Sequence, residues 1–295
     1  MKAAPFNYFR PASLEEAAAR LAANAEEGAM ILAGGQSLVP MMALRVAYAS
    51  ELIDLNAIKG IDKVTCTDDA IIIHPLVRHA DFHHDSVAPG PLGAALAAMS
   101  RHIAHYPIRQ RGTFCGSLAH ADPSSEWCLI SAALDAEIEL LSASGPRCIA
   151  AADWWVGVME TVREPHEIIS AVHLPLLPDD AHWGFYEFNR RAGDFAIGMA
   201  FCCFRLVEGK IVDPRVALGG IEEFPRRIAE VEALLEGAMP SPQTLDAAAD
   251  AVCQFVTPLE DPATPAAYRR DLAATVVRRA LEAATQSQNS LAVPA

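Results

Sequence analysis

The sequence predicts an α+β fold in two parts, and three observations carry that prediction. Ahead of Pro175, short apolar runs alternate with amphipathic or Ala-rich stretches. Two prolines then interrupt the pattern in Leu174–Pro178 (LPLLP). Beyond them come three strand-like runs followed by three helical stretches, the order expected of an antiparallel sheet covered by helices. A boundary is expected there, dividing the chain into residues 1–177 and 178–295, both within the usual size range of a domain.

Taken in order, Ser13–Glu16 (SLEE) has the form of a capping box, and Leu14, Ala17, Ala18 and Leu21 continue it as an amphipathic helix. Ala29–Ala33 (AMILA) is a short apolar run closed by Gly34 and Gly35, which predicts a buried strand entering a tight turn. Ser37–Arg45 reads as the next helix. Glu51–Leu55 and Ala70–Val77 read as strands, with Pro75 marking an edge or a strand end. Pro91–Ala104 is an Ala-rich helix, and His105–Asp122 is expected to be a polar loop. Ser125–Leu134 is helical. Glu137–Leu141 and Ile168–Leu174 are strands joined by a segment holding Trp154 and Trp155. In the second part, strands are expected at Gly184–Asn189, Ala196–Val207 and Ile211–Gly219, the last two linked by a hairpin turn at Glu208–Lys210. Helices follow at Arg226–Leu235, Thr244–Val256 and Ala266–Ala284. The polar tail after Gln286 is expected to fray.

Composition narrows the function classes. The 295 residues carry a formal net charge of −14, which argues against a nucleic-acid partner. The cysteines are Cys66, Cys115, Cys128, Cys148, Cys202, Cys203 and Cys253, an odd number with no C-x-x-C. That pattern supports neither a zinc site nor an iron–sulfur cluster and suits free thiols in a reducing cytoplasm. The N-terminus lacks the apolar core of a signal peptide, and no apolar run reaches the ~18 residues of a membrane span. His79, His83 and His84 stand near Asp81 and Asp85, but His83 and Asp85 do not share a helical face with His84, so a solvated helix or loop is expected rather than a metal centre.

Two glycine-containing loops carry the chemistry. Ala33–Pro40 (AGGQSLVP) lies between a predicted strand and a predicted helix. Successive glycines let backbone approach a ligand, the helix directs N–H groups at the loop, and Ser37 adds a hydroxyl. This is chemistry for a pyrophosphate, although it is neither G-x-G-x-x-G nor a P-loop. The second loop, Arg109–Glu126, holds Gly116 and Ser117 as N–H donors to phosphate, and Asp122 or Glu126 as acceptors for ribose hydroxyls. The apolar pair Leu118 and Ala119 suggests that it is buried against something. Together the loops point to a cofactor.

Ala33–Met42 and Arg111–Pro123 resemble the two FAD signatures of the medium subunits of the xanthine oxidase / carbon monoxide dehydrogenase family. Arg190–Ala196 (RRAGDFA) resembles the start of that family's C-terminal flavoprotein domain, and Tyr268–Leu272 with Val277–Leu281 resembles its closing helix. The blocks span nearly the whole chain in the family's order. The resemblance implies a p-cresol methylhydroxylase type FAD-binding domain of two α/β lobes, then a smaller domain of three antiparallel strands and helices. It implies that FAD is held by Leu32, Ala33, Gly34, Gly35, Gln36, Ser37 and Leu38 in the first loop. Thr113, Gly116, Ser117, His120, Asp122 and Glu126 would hold it from the second. Ile169 matches an apolar contact near the flavin and Arg190 a basic position. No residue of this chain is implied to be catalytic, and no metal is implied on it. The family commonly has a glycine where Cys115 stands, so either no positive φ is needed there or the loop is strained.

The resemblance further implies an electron-transfer role. Substrate would be hydroxylated at a molybdenum cofactor on a large subunit. Electrons would cross two two-iron two-sulfur clusters on a small subunit, and FAD here would pass them to an external acceptor. The expected assembly is a dimer of heterotrimers. The alternative is a self-sufficient FAD-dependent oxidase with the same type of FAD domain. His105 and His120 are expected to bond the loop or the diphosphate rather than deliver protons. Trp154, Trp155, Met41 and Met42 are expected in core or interface.

Overall fold

A computed structural model describes residues 2–286, so the tail expected to fray lies outside the described residues. The chain begins with β1 (Asn7–Phe9), α1 (Leu14–Asn24), β2 (Met30–Leu32), α2 (Leu38–Leu44) and β3 (Glu51–Asp54). The three strands form a parallel sheet in the order β1-β3-β2, with Leu52 opposite both Tyr8 and Met30. All four residues of β3 are buried, because it is the central strand of a parallel sheet. Its charged members are paired: Glu51 accepts from Arg20 Nε at 2.8 Å and Nη2 at 2.7 Å. Asp54 accepts from the Tyr8 hydroxyl and from Asn56 N. Helix α1 buries Ala17, Ala18 and Leu21 against Ile53 and Leu55. Its capping box is offset from the expected form. Ser13 Oγ takes the N–H of Glu16, but the Glu16 carboxylate takes the N–H of Ala12 at 2.6 Å.

The next stretch contains β4 (Val64–Cys66), β5 (Ala70–Ile73), α3 (Gly90–Ser100), α4 (Tyr106–Arg109), α5 (Phe114–His120) and α6 (Glu126–Ala133). It continues with β6 (Glu137–Ser142), β7 (Gly145–Ala150), β8 (Trp155–Gly157), β9 (Glu160–Thr161) and β10 (Ile168–Pro175). Five strands make an antiparallel sheet, β4-β5-β10-β6-β7. Pro75 follows the end of β5, which is an interior strand. The segment expected to be a polar loop, His105–Asp122, is instead largely helical. Phe114, Cys115 and Leu118 recur at helical spacing and are buried, a short amphipathic helix that glycine and polar residues disguise. Phe82, Phe114 and Trp127 pack as an aromatic trio with ring centroids 4.9–5.7 Å apart. Trp154 is fully buried, donating from Nε1 to Leu118 O at 3.1 Å. The mostly exposed edge strand β7 lacks an apolar run, and the β8–β9 hairpin is too short, at three and two residues, to show a strand period; neither is among the expected elements.

The last part contains β11 (His182–Phe188), β12 (Gly198–Val207), β13 (Lys210–Gly219), β14 (Arg226–Arg227), α7 (Ala229–Leu235), α8 (Pro242–Ala251) and α9 (Ala266–Gln286). The expected three-stranded sheet has a fourth, two-residue strand, in the order β11-β12-β13-β14. Glu208 and Gly209 take φ of 51° and 75°, the two positive angles of a type I′ hairpin. Strand β12 is apolar on both faces because two cores meet across it. Met199, Phe201 and Cys203 face the N-terminal part, whereas Ala200, Cys202 and Phe204 join the core built with α8 and α9. A Cβ on Gly184 would stand 2.0 Å from Ala280 O, so α9 lies directly on the backbone of β11.

Candidate FAD site

The parallel sheet, α5 and β10 converge on one cavity of about 650 Å³, within the range of small-molecule sites. Fourteen of the fifteen residues that the sequence nominated line it; Arg190 does not. The Arg190 guanidinium turns away to donate to Ala263 O at 2.9 Å. The segment that carries it contributes Gly193, Asp194 and Phe195 instead, and Phe195 is 74% exposed.

The two loops touch each other before they touch any ligand. A Cβ on Gly34 would lie 2.4 Å from Arg111 O and 2.7 Å from Gly112 Cα, so Gly34 is required by contact between the loops. Gly35 has φ +72°, the left-handed conformation glycine favours. Around them runs a polar staple that the sequence did not disclose. Asn56 Nδ2 donates to Ala33 O at 2.9 Å, and Arg78 donates to both Asn56 Oδ1 and Arg111 O. Burial draws the Arg78 guanidinium below its ordinary pKa, with Arg111 adding repulsion. No sequence signal reveals this staple, since Asn56 and Arg78 belong to no motif and meet only in the fold.

Donor supply at the second loop differs from expectation. Thr113 caps α5: its Oγ1 accepts from Gly116 N at 3.0 Å, and its carbonyl accepts from Ser117 N at 3.1 Å. Those two N–H groups are therefore engaged within the chain. A Cβ on Gly116 would come within 2.6 Å of Thr113 Oγ1, so this glycine protects the cap. At the first loop, no described hydrogen bond takes the N–H of Gln36 or Ser37, and these remain available to an anion. Cys115 has helical backbone with no positive φ. Its Sγ lies 3.6 Å from Ile73 O, and burial pushes its pKa up, so strain and thiolate reactivity are both absent there.

Histidines sort by burial. His79 is 5% exposed and accepts the Trp127 indole N–H at Nδ1, 2.8 Å away; burial lowers its pKa to about 3. It is a neutral core histidine at the cavity wall, not part of a solvated helix or loop, and no metal-binding cluster occurs among the described residues. His120 lines the cavity and burial lowers its pKa, partly opposed by Asp122. His105 packs instead on Gly193, where a Cβ would meet its ring at 2.3 Å. Met41 lines the cavity and Met42 is buried. Ile169 is buried at a bulge in β10 and lines the cavity. A mixed apolar and hydroxyl lining, available N–H groups and facing carboxyls fit FAD, which presents an aromatic ring system, ribose hydroxyls and a diphosphate.

Comparison with known proteins agrees with this geometry. Residues 4–177 match the family described as the FAD-binding domain in molybdopterin dehydrogenase, and residues 183–284 match the CO dehydrogenase flavoprotein C-terminal domain. The medium subunit of nicotine 6-hydroxylase from Paenarthrobacter nicotinovorans is 36% identical over 95% of this chain and 98% of its own length. Carbon monoxide dehydrogenase of Hydrogenophaga pseudoflava, in a structure lacking the Mo-pyranopterin moiety of its molybdenum cofactor, superposes with a TM-score of 0.90. That match is at 31% identity over 97% of this chain and 99% of that one. Quinoline 2-oxidoreductase of Pseudomonas putida 86 gives a TM-score of 0.89 at 32% identity, covering 97% and 99%. With both family matches in sequence order and relatives covered nearly end to end, the chain belongs to the FAD-binding medium subunits of the molybdenum hydroxylases.

Proposed function

We propose that this chain carries FAD as the electron-transfer subunit of a heteromeric molybdenum hydroxylase, relaying electrons from iron–sulfur clusters of a small subunit to an external acceptor. The observation that supports this most is that two loops some eighty residues apart meet at one cavity and staple each other through Arg78 and Asn56. When bound, FAD supplies the two-electron to one-electron redox chemistry. The chain's own work is to hold it. Gln36 and Ser37 offer N–H groups, and Ser37 and Ser117 hydroxyls, to the diphosphate. Asp122 and Glu126 accept from ribose hydroxyls, and Ile169 packs on a ring. Arg190, bonded to Ala263 O, has no part in this arrangement.

We place the domain boundary between residues 177 and 178, and the assembly as a dimer of heterotrimers in the cytoplasm, with the large subunit holding the molybdenum cofactor. No described helix is long and apolar enough to cross a membrane. The self-sufficient oxidase is not favoured, because residues 183–284 match a CO dehydrogenase flavoprotein domain where such an oxidase needs a substrate-capping domain. The test is Gly35→Asp, which adds a negative charge to the first loop and an L side chain at φ +72°, its Cβ 3.0 Å from Leu32 Cδ1. Flavin content should collapse while circular dichroism stays that of a folded chain. Unchanged flavin occupancy would remove Gly35 from the site.

A further inference from the structure

Two different parts of the fold wall the cavity, and they bring different groups to it. Leu21, Ala29 and Ile168 line it from the core that α1 shares with the parallel sheet. Gly193, Asp194 and Phe195 line it from the C-terminal part, where Ser124 Oγ donates to Ala196 O at 2.8 Å. Phe195 is mostly exposed, so the cavity opens to solvent on that side. A flavin ring that exchanges electrons with other molecules needs the open side. The adenosine of FAD is left to the part beside Leu21 and Ile168.

That part holds a charge that belongs to neither glycine loop. Arg163 lies between β9 and β10 and lines the cavity; no other arginine or lysine is among its described lining residues, whereas Asp122, Glu126, Glu167 and Asp194 are. Glu167 is not its partner. Glu167 Oε1 accepts from Arg147 Nε at 2.5 Å, and its Oε2 accepts from Arg147 Nη2 and Glu164 N, each at 2.7 Å. Arg163 instead donates from Nη1 to Glu164 O at 3.1 Å and to Glu167 O at 3.0 Å. Those bonds fold the side chain over its own turn and set the guanidinium beside the backbone of Ile168. Its Nε is buried without a partner, and no described hydrogen bond takes its Nη2. Burial draws its pKa below the ordinary value, with Glu167 opposing, and a guanidinium stays charged at neutral pH. A desolvated cation with unused donors is costly until an acceptor reaches it.

We propose that Arg163 is a specificity-determining residue for the cofactor: its guanidinium, held by Glu164 O and Glu167 O, donates from Nη2 to an acceptor atom of the FAD adenosine and so favours the dinucleotide over FMN. The inference rests on the FAD reading above. Adenosine presents ring nitrogens and ribose oxygens as acceptors, which a donor-only side chain complements. FMN ends at its phosphate and leaves Arg163 without that acceptor. The two carbonyl bonds hold the guanidinium in place before the cofactor arrives, so little side-chain freedom is lost on binding.

The experiment measures binding of FAD, FMN and ADP to the flavin-stripped full chain by titration calorimetry, for the wild type, Arg163→Met and Arg163→Lys. Arg163→Met keeps the apolar stem and removes every donor. Its affinity for FAD and for ADP should fall roughly tenfold, since hydrogen bonds from charged groups are the stronger ones, while FMN changes by less than about twofold. Arg163→Lys keeps the charge and a donor and should recover part of the loss for FAD and ADP. A guanidinium that only braced its turn would move FAD and FMN together, and urea melts of the three proteins record any loss of stability separately. Equal weakening of FAD and FMN, or wild-type FAD binding by Arg163→Met, overturns the inference. Where FMN binds none of the three proteins, ADP carries the comparison, and a loss of FAD without a loss of ADP overturns it. A wild-type chain that binds no FAD overturns the FAD reading and this inference with it, an outcome distinct from FAD bound equally by wild type and Arg163→Met.

Discussion

Arg78 donates from Nη2 to Asn56 Oδ1 at 2.5 Å, and Asn56 donates onward from Nδ2 to Ala33 O at 2.9 Å. With Arg78 Nη1 on Arg111 O, one guanidinium fastens both glycine loops. Arg78→Met should leave Asn56 Oδ1 and Arg111 O short of a donor and cost about 1–3 kcal/mol. Flavin affinity should drop by more than stability does, because the loops lose their mutual spacing. Denaturant melts and flavin-to-protein absorbance ratios of the purified variant check both. A variant that keeps full flavin while losing stability would make the staple structural only.

Contact between the loops gives a second prediction. Gly34→Ala drives a Cβ into backbone atoms 2.4 and 2.7 Å away, which cannot move without separating the loops. We expect a loss of about 3 kcal/mol and loss of flavin. Gly60→Ala is the control. Gly60 has φ +81° with nothing within 4 Å of the added atom. It should cost about 1–2 kcal/mol in backbone strain and leave flavin in place.

Cys115 provides a third. Its buried helical position predicts that Cys115→Gly loses about 1–2 kcal/mol, through helix propensity and lost packing, with FAD retained. Alkylation by iodoacetamide under native conditions should label Cys66 and Cys148, which are exposed, and spare Cys115. Rapid labelling of Cys115 would contradict its burial. The family's glycine at this position leaves two readings, a backbone that needs no positive φ or a strained loop. The helical φ decides for the first, and the buried sulfur leaves the thiol unreactive.

How much was legible follows the range of the interactions. Gly34, Gly35 and Ser37 are local signals, a strand, a turn and a helix in immediate succession, and they were readable with the chemistry they support. The hairpin at Glu208 and Gly209 was readable for the same reason. Arg78 and Asn56 were not, because each acts through partners from 22 to 33 residues away that only the fold brings near. Helix α5 was missed because its apolar residues are interrupted by Gly116, Ser117 and His120. That polar composition resembles a loop unless the burial of Phe114, Cys115 and Leu118 is known. Strands β7 and β14 were missed because an edge strand and a two-residue strand carry little apolar periodicity.

Buried Glu187 gives a prediction about the chain without cofactor. Glu187 is raised from 4.5 to about 7 in the folded state, chiefly by burial. A carboxyl whose folded pKa is raised binds more protons folded than unfolded in that interval. Its contribution is fully present below about 4.5 and is lost as pH rises through about 7. Between pH 5 and pH 8 the wild type should therefore lose stability relative to Glu187→Gln, whose amide does not titrate. Urea melts of the two proteins across this range measure the difference. A difference that stays constant with pH would contradict the raised titration.

The central claim is that this chain holds flavin for electrons that arrive from partner subunits, and the direct test is reduction of the flavin in the isolated chain. The purified chain with FAD is mixed anaerobically with aldehydes, purines, pyridines and alcohols, and the flavin absorption band is followed. The account predicts no bleaching by any of them until the iron–sulfur and molybdenum subunits are added back, and rapid bleaching by the complex's own substrate afterwards. Rapid reduction of the isolated chain by one of these compounds would contradict it and establish a self-sufficient oxidase.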